Sequence, residues 1–200
     1  MPSQSAIEPA FRDAVREAQT VFRLAMRALA SPGQVVALDT PLVPPAPLFA
    51  PAAALLLTLC DFETPVWLDP ELASRAEVAA FVRFHTGARL VTWPADAAFA
   101  VIADVARMPA VGAFAQGTPD YPDRSATLIL QVETLSPAGW SLEGPGIRGT
   151  TGFSAAPLPV DFAAQMRANR TAFPCGVDIL FATRTSLAAL PRSTRVTEPR

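Results

Sequence analysis

The clearest strand pattern in the chain lies at residues 128–132, which read Leu-Ile-Leu-Gln-Val. At the two-residue period of a β-strand one face is wholly apolar and the other nearly so, which is typical of an interior strand. A turn sequence follows at residues 136–139 and the alternation resumes at residues 140–143, which predicts a β-hairpin within one sheet. Gly144 and Gly146 then flank a proline, in a loop that either turns a corner or lets a ligand approach the backbone.

Four stretches carry apolar patterns that predict helices. A long amphipathic helix is predicted over residues 9–30, where the sequence Ser-Pro-Gly follows the last turn. Its larger apolar residues recur at helical spacing and are Phe11, Val15, Phe22, Met26 and Leu29. Further helices are predicted over residues 70–84 and 158–173. A short helix over residues 52–59 is apolar all round, so it has to be buried between layers.

Short apolar runs predict the remaining strands. They lie at residues 35–38, 65–68, 90–92, 99–103, 177–182 and 187–190. Asp178 interrupts one of these runs and needs a partner, because burying a lone carboxylate costs several kcal/mol. Helices alternate with strands in the first half and the middle contributes a hairpin, so the sheet is expected to be mixed. The predicted fold class is α/β, a three-layer α/β/α sandwich with helices on both faces of the sheet.

Composition supports one domain over residues 1–200, with residues 191–200 as a tail that is either ordered or not. Half of the residues are apolar, and no Gly/Ser tract or charge block divides the chain. A net charge of -2 with scattered arginines lacks the basic stripe that duplex DNA demands, so nucleic acid is not an expected partner. The N-terminal sequence lacks a signal-peptide pattern, and no run approaches the roughly 18 apolar residues of a membrane span. A cytoplasmic protein without a membrane partner is therefore expected.

The basic residues and the cysteines exclude several chemistries. All 16 basic residues are arginines, so no Schiff base forms with pyridoxal phosphate or with a carbonyl substrate. Cys60 and Cys175 lie far apart in apolar surroundings, as reduced, buried thiols do, and the alternative is a disulfide between them. Two cysteines and one histidine without ligand spacing do not make a zinc site, and no cofactor or metal is expected.

Arginines form a second edge of the predicted N-terminal helix. They are Arg12, Arg16, Arg23 and Arg27, and their offsets gather them along one side. One interpretation is a solvated flank whose charges pair with Asp13 and Glu17. The other is a surface that docks an acidic partner or phosphates, because the planar guanidinium favours bidentate contacts.

His85 ends the predicted second helix, just before Gly87 as its cap. A cation at that position interacts well with the carbonyl end of a helix, which explains the histidine structurally. The alternative, a catalytic base, has no serine or cysteine partner nearby. Asp61 and Glu63 precede a strand and are interpreted as a polar turn, because as general acid and base they need a loop that bends them together.

Two loops are predicted to line one edge of the hairpin, residues 117–124 and the loop that contains Gly144 and Gly146. If a small anion binds, Arg124, Arg148 and the backbone amides of this edge are suitable donors. The full set of candidate ligand or partner contacts comprises Arg23, His85, Arg89, Arg124, Gly144, Gly146, Arg148, Asp178 and Arg192. No catalytic residue is assigned.

Blocks of sequence spread over nearly the whole chain carry a family resemblance. They lie at residues 22–33, 55–68, 82–91, 125–135, 142–147 and 173–181, and the last block is Leu-Pro-Arg-Ser-Thr-Arg-Val at 190–196. Their order and spacing resemble the PhnH subunit family of bacterial carbon-phosphorus lyase.

The resemblance implies an accessory subunit, without an active site of its own, in a phosphonate-degrading assembly. In that family the complex joins a phosphonate to the ribose of ATP, displacing adenine, before a radical iron-sulfur step cleaves the carbon-phosphorus bond. The family fold resembles pyridoxal-phosphate transferases without the cofactor, and the isolated subunit forms homodimers. The other lyase subunits are the implied partners.

Three hypotheses make different structural predictions. A complex subunit has a large exposed apolar surface. An independent enzyme or binding protein for small anions or phosphates has a concave pocket in which His85, Arg89 and the Gly144 loop converge. A degenerate cofactor fold kept as a scaffold has a cleft filled by side chains such as Trp67 or Phe181.

Overall fold

The computed structural model describes residues 10–198, so the first residue of the predicted 9–30 helix lies outside the described part. The α-helices are α1 Ala14–Ala30, α2 Ala50–Leu59, α3 Pro70–Ala73, α4 Ala76–Thr86 and α5 Phe162–Thr171. The strands are β1 Val36–Ala37, β2 Pro65–Leu68, β3 Arg89–Leu90, β4 Phe99–Ile102, β5 Thr127–Gln131, β6 Thr134–Glu143, β7 Thr151–Ala156, β8 Asp178–Ala182, β9 Ser186–Leu190 and β10 Arg195–Thr197. The predicted second helix is therefore two helices, since the chain turns at Ser74 and Arg75 between α3 and α4.

The main sheet has seven strands in the order β1-β9-β8-β5-β4-β2-β3. Strands β3, β2, β4, β5 and β8 are parallel neighbours, whereas β9 runs antiparallel to both β8 and β1. The predicted mixed sheet is confirmed. β5 lies at its centre and is buried from Leu128 onwards, as its apolar pattern indicated.

The predicted hairpin between β5 and β6 is wrong, because the two strands belong to different sheets. Both edges of β5 are already paired, with β4 and β8. Val132 still donates its amide to Ala182 of the main sheet, and the next residue, Glu133, donates to Ala156 of the small sheet. β6 pairs instead with β7 and β10 in a three-stranded antiparallel sheet. The turn sequence at 136–139 forms an irregularity within the β6–β7 pairing.

Different layers cover the two faces of the main sheet. On one face, α1, α2 and α4 bury apolar residues against strand residues such as Val101 and Ile129. On the other, α5 and the three-stranded sheet pack against Leu128, with Leu142 and Phe153 turned inward. The prediction that helices cover both faces is therefore only partly correct, because the three-stranded sheet forms much of the second outer layer.

The orientation of α1 differs from what its larger apolar residues suggest. Small residues, Ala25 and Ala28, face the core together with Val21, and α1 packs on α2 and β9. Short side chains allow this close approach. Phe22 and Met26 are left 49% and 47% exposed.

The C-terminal segment is part of the fold up to Glu198. β10 pairs with β6, and Val196 is fully buried in the second core. The last two residues of the predicted tail lie outside the described part.

Candidate functional site

The main sheet has a crevice between the carboxyl ends of β2 and β4. The connection after β2 runs through α4 on one face of the sheet, whereas the connection after β4 packs Val105 and Val111 on the other face. Ligands of open α/β sheets bind outside the carboxyl ends of strands at such a point. A cavity of about 560 Å³ lies there, and Asp69, Glu71, Asp104 and Arg107 are among its lining residues.

The carboxylate of Asp69 occupies the inner end of this crevice. One oxygen, Oδ1, accepts the amide of Leu72 at 2.9 Å and caps α3. The other, Oδ2, accepts the amides of Ala103 and Asp104, both at 2.8 Å. Asp69 is 2% exposed. Three backbone donors that have the geometry to hold an oxyanion are thus occupied by the chain itself.

The outer part of the cavity lacks a reactive arrangement. The guanidinium of Arg107 donates to the carboxylate of Asp104, and its side chain is 86% exposed. Glu71 is exposed as well. In the described part of the chain, no three His, Cys, Asp or Glu residues are grouped so that they could hold a metal ion. No nucleophile with an adjacent base lines this cavity.

At the carboxyl end of the central strand, β5, a polar side chain is also bound to backbone groups of the chain. Gln131, which is 3% exposed, accepts the amide of Phe49 at 2.6 Å and donates to the carbonyl of Pro47 at 3.1 Å. These bonds hold the proline-rich connection, residues 41–51, against the end of β5. Both polar side chains at this edge therefore bind backbone groups of the chain itself.

Asp178 and Arg192, two of the predicted contact residues, form one ion pair. The Nε atom of Arg192 lies 3.2 Å from both carboxylate oxygens, and a terminal nitrogen lies 2.6 Å from Oδ2. The remaining donors reach the carbonyls of Pro122 and Pro174 and the hydroxyl of Ser125. All five donors of the guanidinium are satisfied, so the pair clamps β8, the loop before β5 and the C-terminal segment together.

The glycine loop that contains Gly144 and Gly146 turns the β6–β7 hairpin and packs against the chain itself. A Cβ on Gly146 would lie 2.1 Å from the carbonyl oxygen of Ala30, at the end of α1. One on Gly144 would lie 3.0 Å from the carbonyl oxygen of Ser193. Of the two interpretations left open by the sequence, the corner is the one that the packing supports.

The other predicted contact residues lie on different elements of the fold. Arg124 lies over the ring of Tyr121 at 4.3 Å, and Arg148 is exposed. His85 packs edge-on against Phe81, with the ring centres 4.7 Å apart. Arg89 begins β3 at one edge of the main sheet, whereas the glycine loop touches α1, which packs on β9 near the other edge. The structure thus separates Arg89 from the loop with which it was predicted to converge.

The polar turn at residues 61–64 and the cap after α4 are confirmed. Asp61 accepts hydrogen bonds from the hydroxyl of Thr64 and the amide of Glu63. Gly87 caps α4 with φ of 72°, a left-handed conformation that glycine adopts readily.

An exposed apolar surface on α1, which we call the α1 face, consists of Val15, Phe22 and Met26 with Arg23 beside them. Val15 is 68% exposed. Phe22 and Arg23 also line a shallow cavity of about 310 Å³ against Thr58. Within the described residues Arg23 makes no ion pair, and its Nε atom donates to the carbonyl of Gln19.

Trp67 and Phe181, the predicted cleft fillers, are core residues. Trp67 is 7% exposed, packs edge-on against Phe114 and donates to the carbonyl of Thr92. Asp69 fills the inner end of the crevice instead, a role that the sequence did not predict. The available signal was an aspartate and a proline directly after the strand at residues 65–68, which is a typical start of a helix.

Comparison with known proteins shows similarity over nearly the whole chain. Residues 9–197 match the family described as "Bacterial phosphonate metabolism protein (PhnH)". A curated protein of Rhizobium meliloti (strain 1021), the alpha-D-ribose 1-methylphosphonate 5-triphosphate synthase subunit PhnH, is 42% identical over 199 residues, which are 98% of each chain. Over residues 10–198, no helix has the length and apolar character needed to cross a bilayer.

Proposed function

Because the chain belongs to the PhnH family of bacterial phosphonate-metabolism proteins, we propose that it is an accessory, non-catalytic subunit of a phosphonate ribosyl-triphosphate synthase. The assembly attaches a phosphonate to the ribose of ATP and forms ribose 1-phosphonate 5-triphosphate. Since the reaction consumes ATP, the assembly works in the cytoplasm. Its partners are the other subunits of the carbon-phosphorus lyase system.

The observation that carries this proposal is that the backbone donors at the inner end of the crevice between β2 and β4 are already occupied. A catalytic subunit of this fold class would offer free donors there to an anionic substrate. In this chain the amides of Leu72, Ala103 and Asp104 are all bound to Asp69. We further propose that the fold resembles that of pyridoxal-phosphate transferases without the cofactor. The lack of lysine agrees with a missing cofactor, because no Schiff base can form.

The α1 face supports assembly with other subunits. Phe22 and Met26 are about half exposed on a helix whose other side is already packed, so the exposed side has no partner within the described chain. Aromatic, Met and Arg side chains are enriched at protein interfaces. In the isolated protein a second copy covers this surface, which gives a homodimer.

The proposal is tested by affinity purification of the tagged chain from its host, grown on a phosphonate as sole phosphorus source. The other synthase subunits are expected to copurify with the wild-type chain and to be lost from Phe22→Asp and Met26→Asp variants. Val160→Asp is the matched control, because Val160 is fully exposed and lies outside the α1 face. Recovery of the chain without any other synthase subunit would overturn the proposal, and phosphate esters would then be tested as ligands near His85 and Arg89.

A further inference from the structure

Among residues 10–198 the main sheet ends at β3, a strand of two residues that pairs on one side only. Val91 donates its amide to the carbonyl of Val66 in β2 at 2.9 Å. Successive residues of a strand direct their peptide groups to opposite sides, so the amide and the carbonyl of Leu90 point away from β2. This edge is therefore able to accept a further strand.

A groove of about 680 Å³ runs beside this edge, between β3 and the helices α3 and α4. We call it the edge groove. Its helical wall is made by Ala73, Ala76, Ala79 and Ala80, whose short side chains leave the space open. Ala76 and Ala80 are exposed. Larger side chains from another chain would bury apolar surface there, at roughly 25 cal/mol per Å².

Two large aromatic residues flank the edge groove in sequence. Phe84, next to Arg83 on α4, is 68% exposed, and Trp93, next to Thr92, is 69% exposed. Tryptophan often contributes strongly to protein–protein binding, because it buries a large area at low entropic cost. Each of the two therefore lies one residue along the chain from a residue that lines the groove.

The charge in the groove is positive. Among the described residues that line the groove, Arg83 is the charged one. It forms no ion pair with any residue that the structure describes. Arg89, at the start of β3, is exposed on the same edge. Pairing β3 with β3 of a second copy would bring two Arg89 residues onto one short edge, which disfavours a homodimer at this surface.

We propose that the edge groove receives an extended segment of another synthase subunit. The segment adds a strand to β3, places an apolar side chain against Ala76 and Ala80, and directs a carboxylate to Arg83. This inference rests on the proposed function, because the partner belongs to the same assembly. The surface is distinct from the α1 face, which lies on a different helix.

The first test is hydrogen exchange of the purified synthase assembly against the free chain. The amide of Leu90 is expected to exchange at least about tenfold more slowly in the assembly, because it gains a backbone acceptor. An assembly that forms without protection at residues 90–93 would overturn this inference and leave the proposed function intact. If the wild-type chain assembles with no synthase subunit, both are overturned.

The second test uses matched variants in the same assembly. Ala80→Trp fills the groove and Arg83→Glu reverses its charge, and each is expected to weaken assembly by about tenfold or more. The controls are Ala138→Trp, at an exposed alanine of β6, and Arg75→Glu, at an exposed arginine before α4 that does not line the groove. Circular dichroism establishes that each variant is folded. Equal assembly by folded Ala80→Trp, Arg83→Glu and control variants would contradict the inference.

Discussion

The carboxylate of Asp69 lies 2.8 Å from the amide nitrogen of Ala103, 34 residues further along the chain. Asp69 follows β2 and Ala103 follows β4, so the bond joins the ends of two neighbouring parallel strands. The amides of Leu72 and Asp104 donate to the same carboxylate. The Asp69 carboxylate therefore takes the place of the anion that such a crevice commonly binds.

Removing the Asp69 carboxylate is expected to destabilise the protein and to create an anion site. Asp69→Ala leaves three amides without their acceptor, at a cost of about 3 kcal/mol in the free energy of unfolding. Formate or inorganic phosphate should restore part of that loss in the variant and have a much smaller effect on the wild type. Urea unfolding with and without each anion measures both effects.

The control for Asp69 is Asp120→Ala, because Asp120 is exposed in a loop. Its free energy of unfolding is expected to stay within about 0.5 kcal/mol of wild type. Equal stability of the two variants would show that Asp69 does not hold the strand ends together.

Arg192→Ala is expected to lower the free energy of unfolding by about 3 kcal/mol, because it leaves the Asp178 carboxylate largely buried and without its ion-pair partner. The side chains of the pair are 15% and 24% exposed. Arg195→Ala is the control, since Arg195 and Glu143 form an ion pair with side chains that are 65% and 46% exposed. That loss should stay below about 1 kcal/mol. Chemical denaturation measures the free energy of unfolding of both variants. Similar losses would contradict a stabilising role of the Asp178–Arg192 ion pair.

The two cysteines are expected to differ in reactivity. Burial, with a smaller contribution from Asp61, raises the pKa of Cys60 from 9.0 to about 12. The thiolate is the nucleophile, so iodoacetamide at pH 8 should modify the partly exposed Cys175 and leave Cys60 intact. Mass spectrometry should find one adduct in the native protein and two in urea. Native modification of Cys60 at the rate of Cys175 would be inconsistent with its burial.

The same pKa shift has a consequence for stability. The pKa of the Cys60 thiol is higher in the folded than in the unfolded chain, so the unfolded chain ionises first. The contribution of the protonated Cys60 thiol to the free energy of unfolding is fully present below pH 9.0. It is lost as the pH rises towards about 12. Urea unfolding midpoints should fall over this range more steeply for wild type than for Cys60→Val.

Substitutions in the glycine loop separate backbone strain from steric contact. Gly146→Ala places a Cβ 2.1 Å from the carbonyl oxygen of Ala30 at φ of +81°, whereas Gly149→Ala has φ of +74° and open space. The first should lower the free energy of unfolding clearly more than the second, which costs about 1 kcal/mol. Gly112→Ala, with neither constraint, should be close to neutral. Thermal unfolding measures the stabilities of the three variants. Equal losses of stability for Gly146→Ala and Gly149→Ala would contradict the packing of the loop against α1.

Local pattern was enough to predict most elements of the main sheet. The strand at residues 65–68 was predicted, from its short apolar run, with the bounds that the structure has. Pattern did not reveal the partner of a strand, since β5 and β6 are adjacent in sequence and belong to different sheets. A strand's partner depends on which of its two edges is already paired by distant segments.

The candidate site was the least predictable part. The sequence indicated that Asp178 needs a partner, but not that Arg192 provides it, and it gave no weight to Asp69. Both carboxylates accept hydrogen bonds from groups that lie far away along the chain. The periodicity of a short stretch of sequence gives no information about such distant partners.

The sequence by itself determined the element types, the mixed α/β class, the lack of any lysine and the family, because these follow from local pattern and from blocks of residues along the chain. Only the tertiary structure decided that Asp69 fills the inner end of the crevice, that Phe22 and Met26 remain exposed on α1, and that β3 ends the sheet beside a groove. The physical reason is that burial and hydrogen-bond satisfaction are properties of the whole packed chain, and the same local pattern is compatible with several packings.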